Sequence, residues 1–423
     1  MSTSATPVFD FDRFRPLLFL TLLALLLLGG GCTLDSEPVT TGEQSEEDLH
    51  PEVVQVAPEE LEPVPGGARR LILVIGDGMG AEQIRAASLY KTGTEEGLAL
   101  QSLPVYSEVA THSASHRVTD SAAAGTALAT AVKVENGAVG VRLPGDGADL
   151  PTITEDLTER GWRVGLVTTA FTTHATPAAF GAHVRSRLDY GGIARDYLTR
   201  SRPHVIFGGG GYGMDPDNVA EAGYTVVTDR HELSSQMRAL TASDRLAGLF
   251  GDGHLPYLSD GRPAEMPGLV EMSQRAVEFL AAGDEGFFLM IEGARIDHAG
   301  HANDIERLIP EVLELDAVVE MLLNHPLLED DTLLVVTADH ETGGLSVTDG
   351  AGEGVIPTVG WSTNGHTAAD VPLFAAGVGA EKCGEVVDNT LLNGAMLAAL
   401  DVQGPEGLVA TEASVLSGEE KAQ

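Results

Sequence analysis

Long apolar runs in the chain predict buried β-strands. Residues 71–75, 287–291 and 333–337 are continuously apolar or nearly so, and shorter runs lie at 204–207 and 373–376. A continuous apolar run, without alternating polar residues, is typical of a strand that is buried on both faces within a parallel sheet. These segments therefore predict the interior of one sheet.

Between these runs, apolar residues recur at helical spacing. Residues 152–160, 269–282 and 305–323 carry them at intervals of three and four, and Pro310 predicts a kink in the third segment. Strands and helices that alternate over most of a 423-residue chain predict an α/β fold. We therefore expect one large domain at 71–423, with a large, central, mostly parallel sheet flanked by helices on both faces.

The first apolar run ends in a glycine turn that carries a carboxylate. The turn reads GDGMG from residue 76, which is GxGxG rather than the GxGxxG of a dinucleotide site. Asp77 would also repel a pyrophosphate. An aspartate in a turn often only bonds its own backbone. Because ligands bind at the carboxyl edge of parallel strands, a metal ligand is the functional alternative for Asp77.

Further oxygen and nitrogen donors stand next to other predicted strands. They are Asp297 and His301, Asp339 and His340, and His366. The first two are four residues apart and share one face of a helical turn, a spacing suited to zinc. One Asp-His pair is usually a surface feature, whereas repeated donor sets at one sheet edge predict a metal centre.

A serine stands at the start of an alanine-rich segment that predicts a helix. Ser121 precedes AAAGTALA, so its hydroxyl and the nearby N–H groups would lie at the positive helix end, where phosphate can bind. A serine in this position is more often only an N-cap. A metal bound to the hydroxyl would activate this weak nucleophile without a Ser-His-Asp triad.

Taken in order, these segments resemble the alkaline phosphatase family. The matching stretches, which span roughly 71–380, are the Asp77 turn, VTDSAAAGTA, VTTAFTTHATPAAFGAH, EGARIDHAGH, TADHETGG and NGHTAADVP. The resemblance implies the α/β fold of that family, with a small or reduced crown insertion. It also implies hydrolysis of phosphate monoesters through a covalent phosphoserine on Ser121.

The resemblance further implies two zinc ions and one magnesium ion per chain. The implied ligands are Asp297, His301 and His366 for the first zinc; Asp339, His340 and Asp77 for the second; and Asp77, Thr176 and Glu292 for the magnesium. Arg187 is the arginine expected to clamp the phosphate, because a planar guanidinium can take two of its oxygens.

His174 and His298 occupy positions where some family members have an aspartate and a lysine. The His/His combination resembles animal members of the family. Neither residue needs to bind a metal. We expect His174 to hydrogen-bond around the magnesium site rather than bind the ion, because Thr176 and Glu292 already supply ligands.

The amino terminus predicts export. Arg13 and Arg15 precede an apolar run at 17–28 and then GGGC, which resembles a bacterial lipoprotein signal of residues 1–31 ending at an acylated Cys32. A glycine stands where such a signal has a leucine, which leaves ordinary cleavage or an uncleaved anchor open. Residues 32–70 are acidic, contain prolines and predict a tether. We therefore expect a membrane-anchored lipoprotein that faces the periplasm or the cell exterior.

Composition narrows the partners. The net charge of −38 argues against nucleic acid and long polyanions as partners. The small phosphate monoesters that the resemblance implies as substrates are compatible with this charge. If Cys32 carries lipid, Cys383 has no partner with which to form a disulfide within the chain. The sequence leaves a homodimer open.

Two alternatives to a phosphomonoesterase remain. One is a phosphodiesterase, phosphotransferase or sulfatase on the same scaffold, although Ser121 lacks the x-Pro-x-Arg that follows a sulfatase nucleophile. The other is a non-catalytic surface lipoprotein that binds phosphate or metal. The complete set of implied ligands disfavours this second alternative.

Overall fold

The computed structural model describes residues 66–400 apart from 284, 329 and 351. The predicted signal at 1–31, the acylated Cys32, most of the predicted tether and the end of the predicted catalytic domain lie outside these residues. Within the described part of the chain, no helix has both the length and the apolar character of a membrane span.

A nine-stranded sheet forms the centre of the fold. In spatial order its strands are β2 (Val105–Val109), β13 (Val371–Gly377), β8 (Thr332–Thr337), β1 (Arg70–Gly76), β7 (Phe287–Gly293), β3 (Arg163–Phe171), β4 (Val205–Gly210), β6 (Leu246–Asp252) and β5 (Thr225–Val227). Only β13 runs antiparallel to its neighbours; the other adjacent pairs are parallel. The predicted mostly parallel sheet is confirmed.

Two small antiparallel sheets lie in the segment between His340 and the last strand of the large sheet. They pair β9 (Glu341–Thr342) with β12 (His366–Thr367), and β10 (Leu345–Asp349) with β11 (Thr358–Trp361).

Eleven α-helices connect the strands of the described residues. They are α1 (Ala81–Thr92), α2 (Ser121–Thr130), α3 (Ile153–Glu159), α4 (Ala175–Ala179), α5 (Tyr190–Asp196), α6 (Pro216–Glu221), α7 (Arg230–Gln236), α8 (Leu269–Leu280), α9 (Arg295–His301), α10 (Ile305–Leu323) and α11 (Asn389–Ala398). Helices α1, α8 and α10 pack together, and α8 and α10 contact β7. Helices α2, α3, α4 and α11 form a second group, in which α3 and α4 also contact β7. The two groups therefore cover opposite faces of the sheet.

The predicted helices match the sequence patterns closely. Helix α10 has the predicted bounds, and Asp304 caps it by accepting a hydrogen bond from the N–H of Arg307 at 3.1 Å. It continues through Pro310, and the kink there stays a prediction. In α8 the residues that its apolar period places inward, Met272, Ala276, Phe279 and Leu280, are buried. Each large apolar side chain buried this way contributes about 1.5–3 kcal/mol.

Strand register brings the predicted site residues to one edge of the sheet. Ile75 of β1 pairs with Glu292 of β7 on one side and with Thr337 of β8 on the other. Asp77 follows Ile75 by two residues, and Asp339 follows Thr337 by two residues, so both lie at the carboxyl ends of adjacent parallel strands. The edge predicted to carry the chemistry is therefore assembled by the register itself.

Candidate active site

Gly78 allows the chain to turn tightly after Asp77. Its φ is +73°, and a Cβ there would lie 2.7 Å from Oγ1 of Thr342 and 2.8 Å from Cα of Asp297. The Gly78 N–H donates to Oδ1 of Asp339 at 3.1 Å. The turn thus ties the end of β1 to the end of β8 and places two carboxylates side by side.

Asp297, His301 and His366 form the first group of candidate metal ligands, with one donor atom from each within 4.8 Å of the others. Nε2 of His301 and Nε2 of His366 are 3.1 Å apart. They lie 3.3 Å and 3.5 Å, respectively, from Oδ1 of Asp297. Each Nδ1 contacts a backbone carbonyl oxygen, that of Asn364 for His301 and that of Thr119 for His366. Each Nδ1 therefore donates, and each Nε2 offers a lone pair, as metal-binding histidines do.

Asp77, Asp339 and His340 form the second group. Nε2 of His340 lies 3.6 Å from Oδ1 of Asp77 and 3.3 Å from Oδ2 of Asp339. Both carboxylate oxygens of Asp77 and Oδ2 of Asp339 are buried without a hydrogen-bond partner among the described residues. Buried carboxylates without a partner are costly, and a cation would satisfy them.

Asp77, His174 and Glu292 form the third group, which shares Asp77 with the second. Thr168 donates to one oxygen of Glu292, whereas the other oxygen and Oγ1 of Thr176 are buried and, in the described part of the chain, unpartnered. A hard, oxygen-rich set suits magnesium. One ring nitrogen of His174 is near enough to bind an ion directly or through a water, so its indirect role stays a prediction.

The pKa values of Asp77, Glu292 and Asp339 are raised by burial and by neighbouring carboxylates, whereas the histidines around Asp297 outweigh its burial and lower its pKa. Burial raises the pKa of Asp77 well above its usual range, and the charges of Asp339, Asp297 and Glu292 raise it further. Burial also raises the pKa of Glu292 to about 7 and, together with Asp297, that of Asp339 to about 6. Burial lowers the pKa of His340 to about 3, so its ring is neutral and able to ligate. This donor set fits the divalent cations that the resemblance to alkaline phosphatases implies.

Ser121 is the first residue of α2 and is 2% exposed. Asp120, not Ser121, caps this helix, because its Oδ1 accepts from the N–H of Ala123 at 3.0 Å. The interpretation of Ser121 as an N-cap is therefore wrong. Oγ of Ser121 instead lies 3.3 Å from Nε2 of His340, at the second ligand group.

Asp120 also holds Arg187 beside Ser121. Oδ2 of Asp120 accepts from Arg187 at 3.0 Å, and Oδ1 accepts from the N–H of Gly137 at 3.0 Å. Burial opposes ionisation of Asp120, but Arg187 and the two N–H groups outweigh it and lower its pKa. No role for Asp120 was predicted. Its place before a helix-starting serine was the available signal.

Three imidazoles lie together, and one of them contacts Arg187. Nε2 of His174 is 3.4 Å from the guanidinium, and the ring centroid of His298 is 5.8 Å from that of His174. The His254 ring is 4.4 Å from His298 and 5.5 Å from His174. Burial lowers the pKa of His254 to about 4 and that of His298 to about 3. His254 was not predicted, because it stands in a loop without a recognisable motif.

The predicted site residues thus converge on one region. Every predicted His, Asp and Glu ligand belongs to one of the three groups. Ser121 contacts the second group, and the residue before it holds Arg187.

Comparison with known proteins shows which family the chain belongs to. The family model described as alkaline phosphatase matches residues 68–357. The chain belongs to the alkaline phosphatase family. It is 30% identical over 408 residues to alkaline phosphatase 3 of Bacillus subtilis, covering 76% of this chain and 87% of that protein. It is 32% identical over 412 residues to the alkaline phosphatase of Escherichia coli, covering 79% and 87%.

A solved structure agrees with the sequence relatives. The alkaline phosphatase of the Antarctic bacterium TAB5 superposes with a TM-score of 0.69 at 29% identity, covering 79% of this chain and 99% of that chain. A variant of the TAB5 enzyme was solved with magnesium bound. The predicted family, fold and phosphatase activity are confirmed, and membership supports phosphate monoesters as substrates.

Proposed function

We propose that this enzyme hydrolyses phosphate monoesters through a phosphoserine formed on Ser121. The observation that carries this proposal is the 3.3 Å separation between Oγ of Ser121 and Nε2 of His340, whose other neighbours are the carboxylates of Asp77 and Asp339. Because both oxygens of Asp77 and Oδ2 of Asp339 lack hydrogen-bond partners among the described residues, His340 fits a cation ligand better than a general base. Ser121 therefore stands next to a cation position at a helix start.

The donor chemistry supports two zinc ions and one magnesium ion per chain. The first two groups join imidazole and carboxylate donors, which suits zinc. Asp77, Glu292 and Thr176 offer oxygen, which suits magnesium. When bound, these cations would supply Lewis acidity that stabilises charge on the attacking and leaving oxygens.

The side chains of the enzyme carry the remaining steps. The hydroxyl of Ser121 loses its proton and its Oγ forms a bond to phosphorus, while the bond from phosphorus to the alcohol oxygen breaks and that oxygen leaves as an alcohol, protonated from water. Arg187, held by Asp120, binds two non-bridging oxygens through its planar guanidinium. The N–H groups at the start of α2 stabilise the same negative charge. Water then displaces the serine oxygen, and inorganic phosphate leaves.

Replacing the nucleophile tests this proposal. Ser121→Ala should lower kcat roughly 10³-fold or more while the protein stays folded, because alanine suits the first turn of a helix. Ser273→Ala is the matched control, since Ser273 is also a buried serine on a helix but lies in α8. Near-normal turnover by Ser121→Ala would contradict a serine nucleophile.

Metal removal tests the ligand assignment. A strong chelator should abolish activity and lower the melting temperature, because ions that bind only the native state stabilise it by mass action. Zinc together with magnesium should restore both. Elemental analysis of active enzyme that finds neither zinc nor a substitute such as cobalt would contradict the assignment.

We also propose that the enzyme is exported and scavenges phosphate outside the cytoplasm while anchored by lipid on Cys32. The support is the apolar run at 17–28, which follows Arg13 and Arg15 and ends at GGGC. The acidic segment at 32–70 would then serve as a tether between the anchor and the catalytic domain.

A further inference from the structure

Arg295 makes a contact with His298 that fixes where the imidazole carries its proton. A guanidinium nitrogen of Arg295 lies 2.8 Å from Nδ1 of His298. Arginine has five N–H donors and no acceptor, and it stays protonated in proteins. Nδ1 of His298 must therefore accept this hydrogen bond and cannot carry a proton. An imidazolium, protonated on both nitrogens, is excluded by the same contact.

The proton of His298 consequently lies on Nε2, which is the nitrogen left for a ligand. Among the described residues, none is hydrogen-bonded to Nε2 of His298. The ring lies one residue after Asp297, a member of the first ligand group, and its centroid is 5.8 Å from that of His174. His174 in turn contacts Arg187 at 3.4 Å. Nε2–H of His298 is thus a neutral donor on a ring that neighbours His174, which in turn contacts the phosphate clamp.

Arg295 is itself held firmly. Its guanidinium carbon lies 3.8 Å from the centre of the Tyr257 ring, in a cation–π contact. The loop that carries Tyr257 is anchored on both sides, because Leu255 N–H donates to the carbonyl of Thr169 at 2.9 Å and Leu258 N–H donates to Glu311 at 2.8 Å. The orientation of Arg295, and through it that of His298, is therefore fixed by β3 and α10.

We propose that Arg295 is a positioning residue that holds His298 as the neutral Nε2–H tautomer, so that His298 donates a hydrogen bond to the phosphate group of the substrate and the product. This proposal rests on the proposed function for the identity of the ligand. The tautomer of His298 does not depend on the proposed function, because it follows from the contact between Arg295 and His298. Arg295 acts through His298 and does not touch phosphate.

The tautomer can be read directly by nitrogen NMR. The zinc- and magnesium-loaded enzyme, labelled with ¹⁵N-histidine, gives one pair of ring nitrogens per histidine, and the pair lost in His298→Ala assigns His298. Wild type should show a protonated Nε2 and an unprotonated Nδ1. A protonated Nδ1 of His298 in the wild type would overturn the proposal by itself. This result would not depend on which reaction the enzyme catalyses.

A matched pair of arginine variants tests the cause. Arg295→Met should mix the two tautomers of His298. Arg307→Met is the control, because Arg307 lies over the same Tyr257 ring at 4.9 Å and forms its other contacts with Asp260 and Asp304. The control should leave the histidine spectrum unchanged. An unchanged His298 pattern in folded Arg295→Met would contradict the proposal.

Competitive inhibition by inorganic phosphate tests the consequence. Arg295→Met should raise the inhibition constant roughly 10-fold, the usual scale for loss of a residue that orients a ligand-binding group. In a His298→Ala background the same change should have almost no further effect, because the two residues act as a unit. A full 10-fold effect in that background would mean that Arg295 acts directly and would overturn the proposal. Absence of phosphate binding in wild type would instead count against the proposed function.

Discussion

Asp120 joins helix capping to phosphate binding, and two substitutions separate these roles. Oδ1 accepts from the N–H groups of Ala123 and Gly137, and Oδ2 accepts from Arg187, all at 3.0 Å. Asp120→Asn keeps a carbonyl oxygen for the two N–H groups but loses the charge that holds Arg187. Asp120→Ala loses all three contacts.

The expected magnitudes follow from these contacts. The ion pair is partly exposed, with 24% of the Arg187 side chain and 19% of the Asp120 side chain accessible, so its loss in Asp120→Asn should cost only about 1 kcal/mol. Asp120→Ala should cost about 3 kcal/mol, because it also removes a helix cap of about 1 kcal/mol and leaves the N–H of Gly137 unpaired. Both variants remove the ion pair that orders Arg187 and leave its contact with His174. Ordering this long side chain again on binding costs about 1–2 kcal/mol. The phosphate inhibition constant should therefore rise roughly 10-fold in each variant.

Urea unfolding at fixed zinc and magnesium concentrations measures the first effect, and competitive inhibition of aryl phosphate hydrolysis measures the second. The pKa of Asp120 is lowered in the folded protein, so its stabilisation is present above the unfolded pKa and is lost only as the pH falls through the folded value. The differences should therefore be constant from neutral to alkaline pH. An unchanged phosphate constant in both variants would refute the role of Asp120 in holding Arg187, and equal stability losses would refute the cap.

Three further predictions test other parts of the molecule. Burial raises the pKa of Glu311 from 4.5 to about 7, so the stability of the wild type falls as the pH rises from about 4.5 to about 7 and then levels off. Glu311→Gln should therefore be more stable than the wild type by up to about 3 kcal/mol above pH ~7, with little difference below pH ~4.5. Urea midpoints without that trend would contradict this expectation. His174→Asp should raise the affinity for magnesium by ~10-fold in titrations of zinc-reloaded enzyme, because a carboxylate holds the surrounding waters more firmly than a neutral imidazole. Equal affinities of the wild type and the variant would show that residue 174 does not act on the magnesium. Cys32→Ser should move the enzyme from the detergent phase to the aqueous phase. If mass spectrometry instead finds that the mature wild-type protein begins after residue 32 and carries no acyl group, the enzyme is secreted in soluble form.

The sequence was most informative where one short segment decides both the structure and the chemistry. Continuous apolar runs predicted β1, β7 and β8, and a parallel arrangement placed the residues after them at one edge. The bounds of α10 followed from its apolar period and matched the structure. The antiparallel direction of β13 was not predictable, because an isolated apolar run carries no information on strand direction.

The residues that sequence reasoning missed act through contacts distant along the chain. Asp120 and Arg187 are separated by 67 positions, so the ion pair between them is invisible until the chain is folded. His254 meets His174 and His298 only because its loop follows β6 at the same edge of the sheet. The apolar period of α10 predicts its hydrophobic face but not that Glu311 is buried. Glu311 is buried and accepts a hydrogen bond from the N–H of Leu258.

Trapping of the covalent intermediate tests the central claim most directly. Zinc- and magnesium-loaded enzyme is incubated with labelled inorganic phosphate at acid pH, quenched and digested, and the peptides are analysed by mass spectrometry. We predict phosphate on Ser121 in the wild type and none in Ser121→Ala, because the serine oxygen is the nucleophile. Wild-type enzyme that turns over aryl phosphate normally but carries no phosphate on Ser121 would contradict the account.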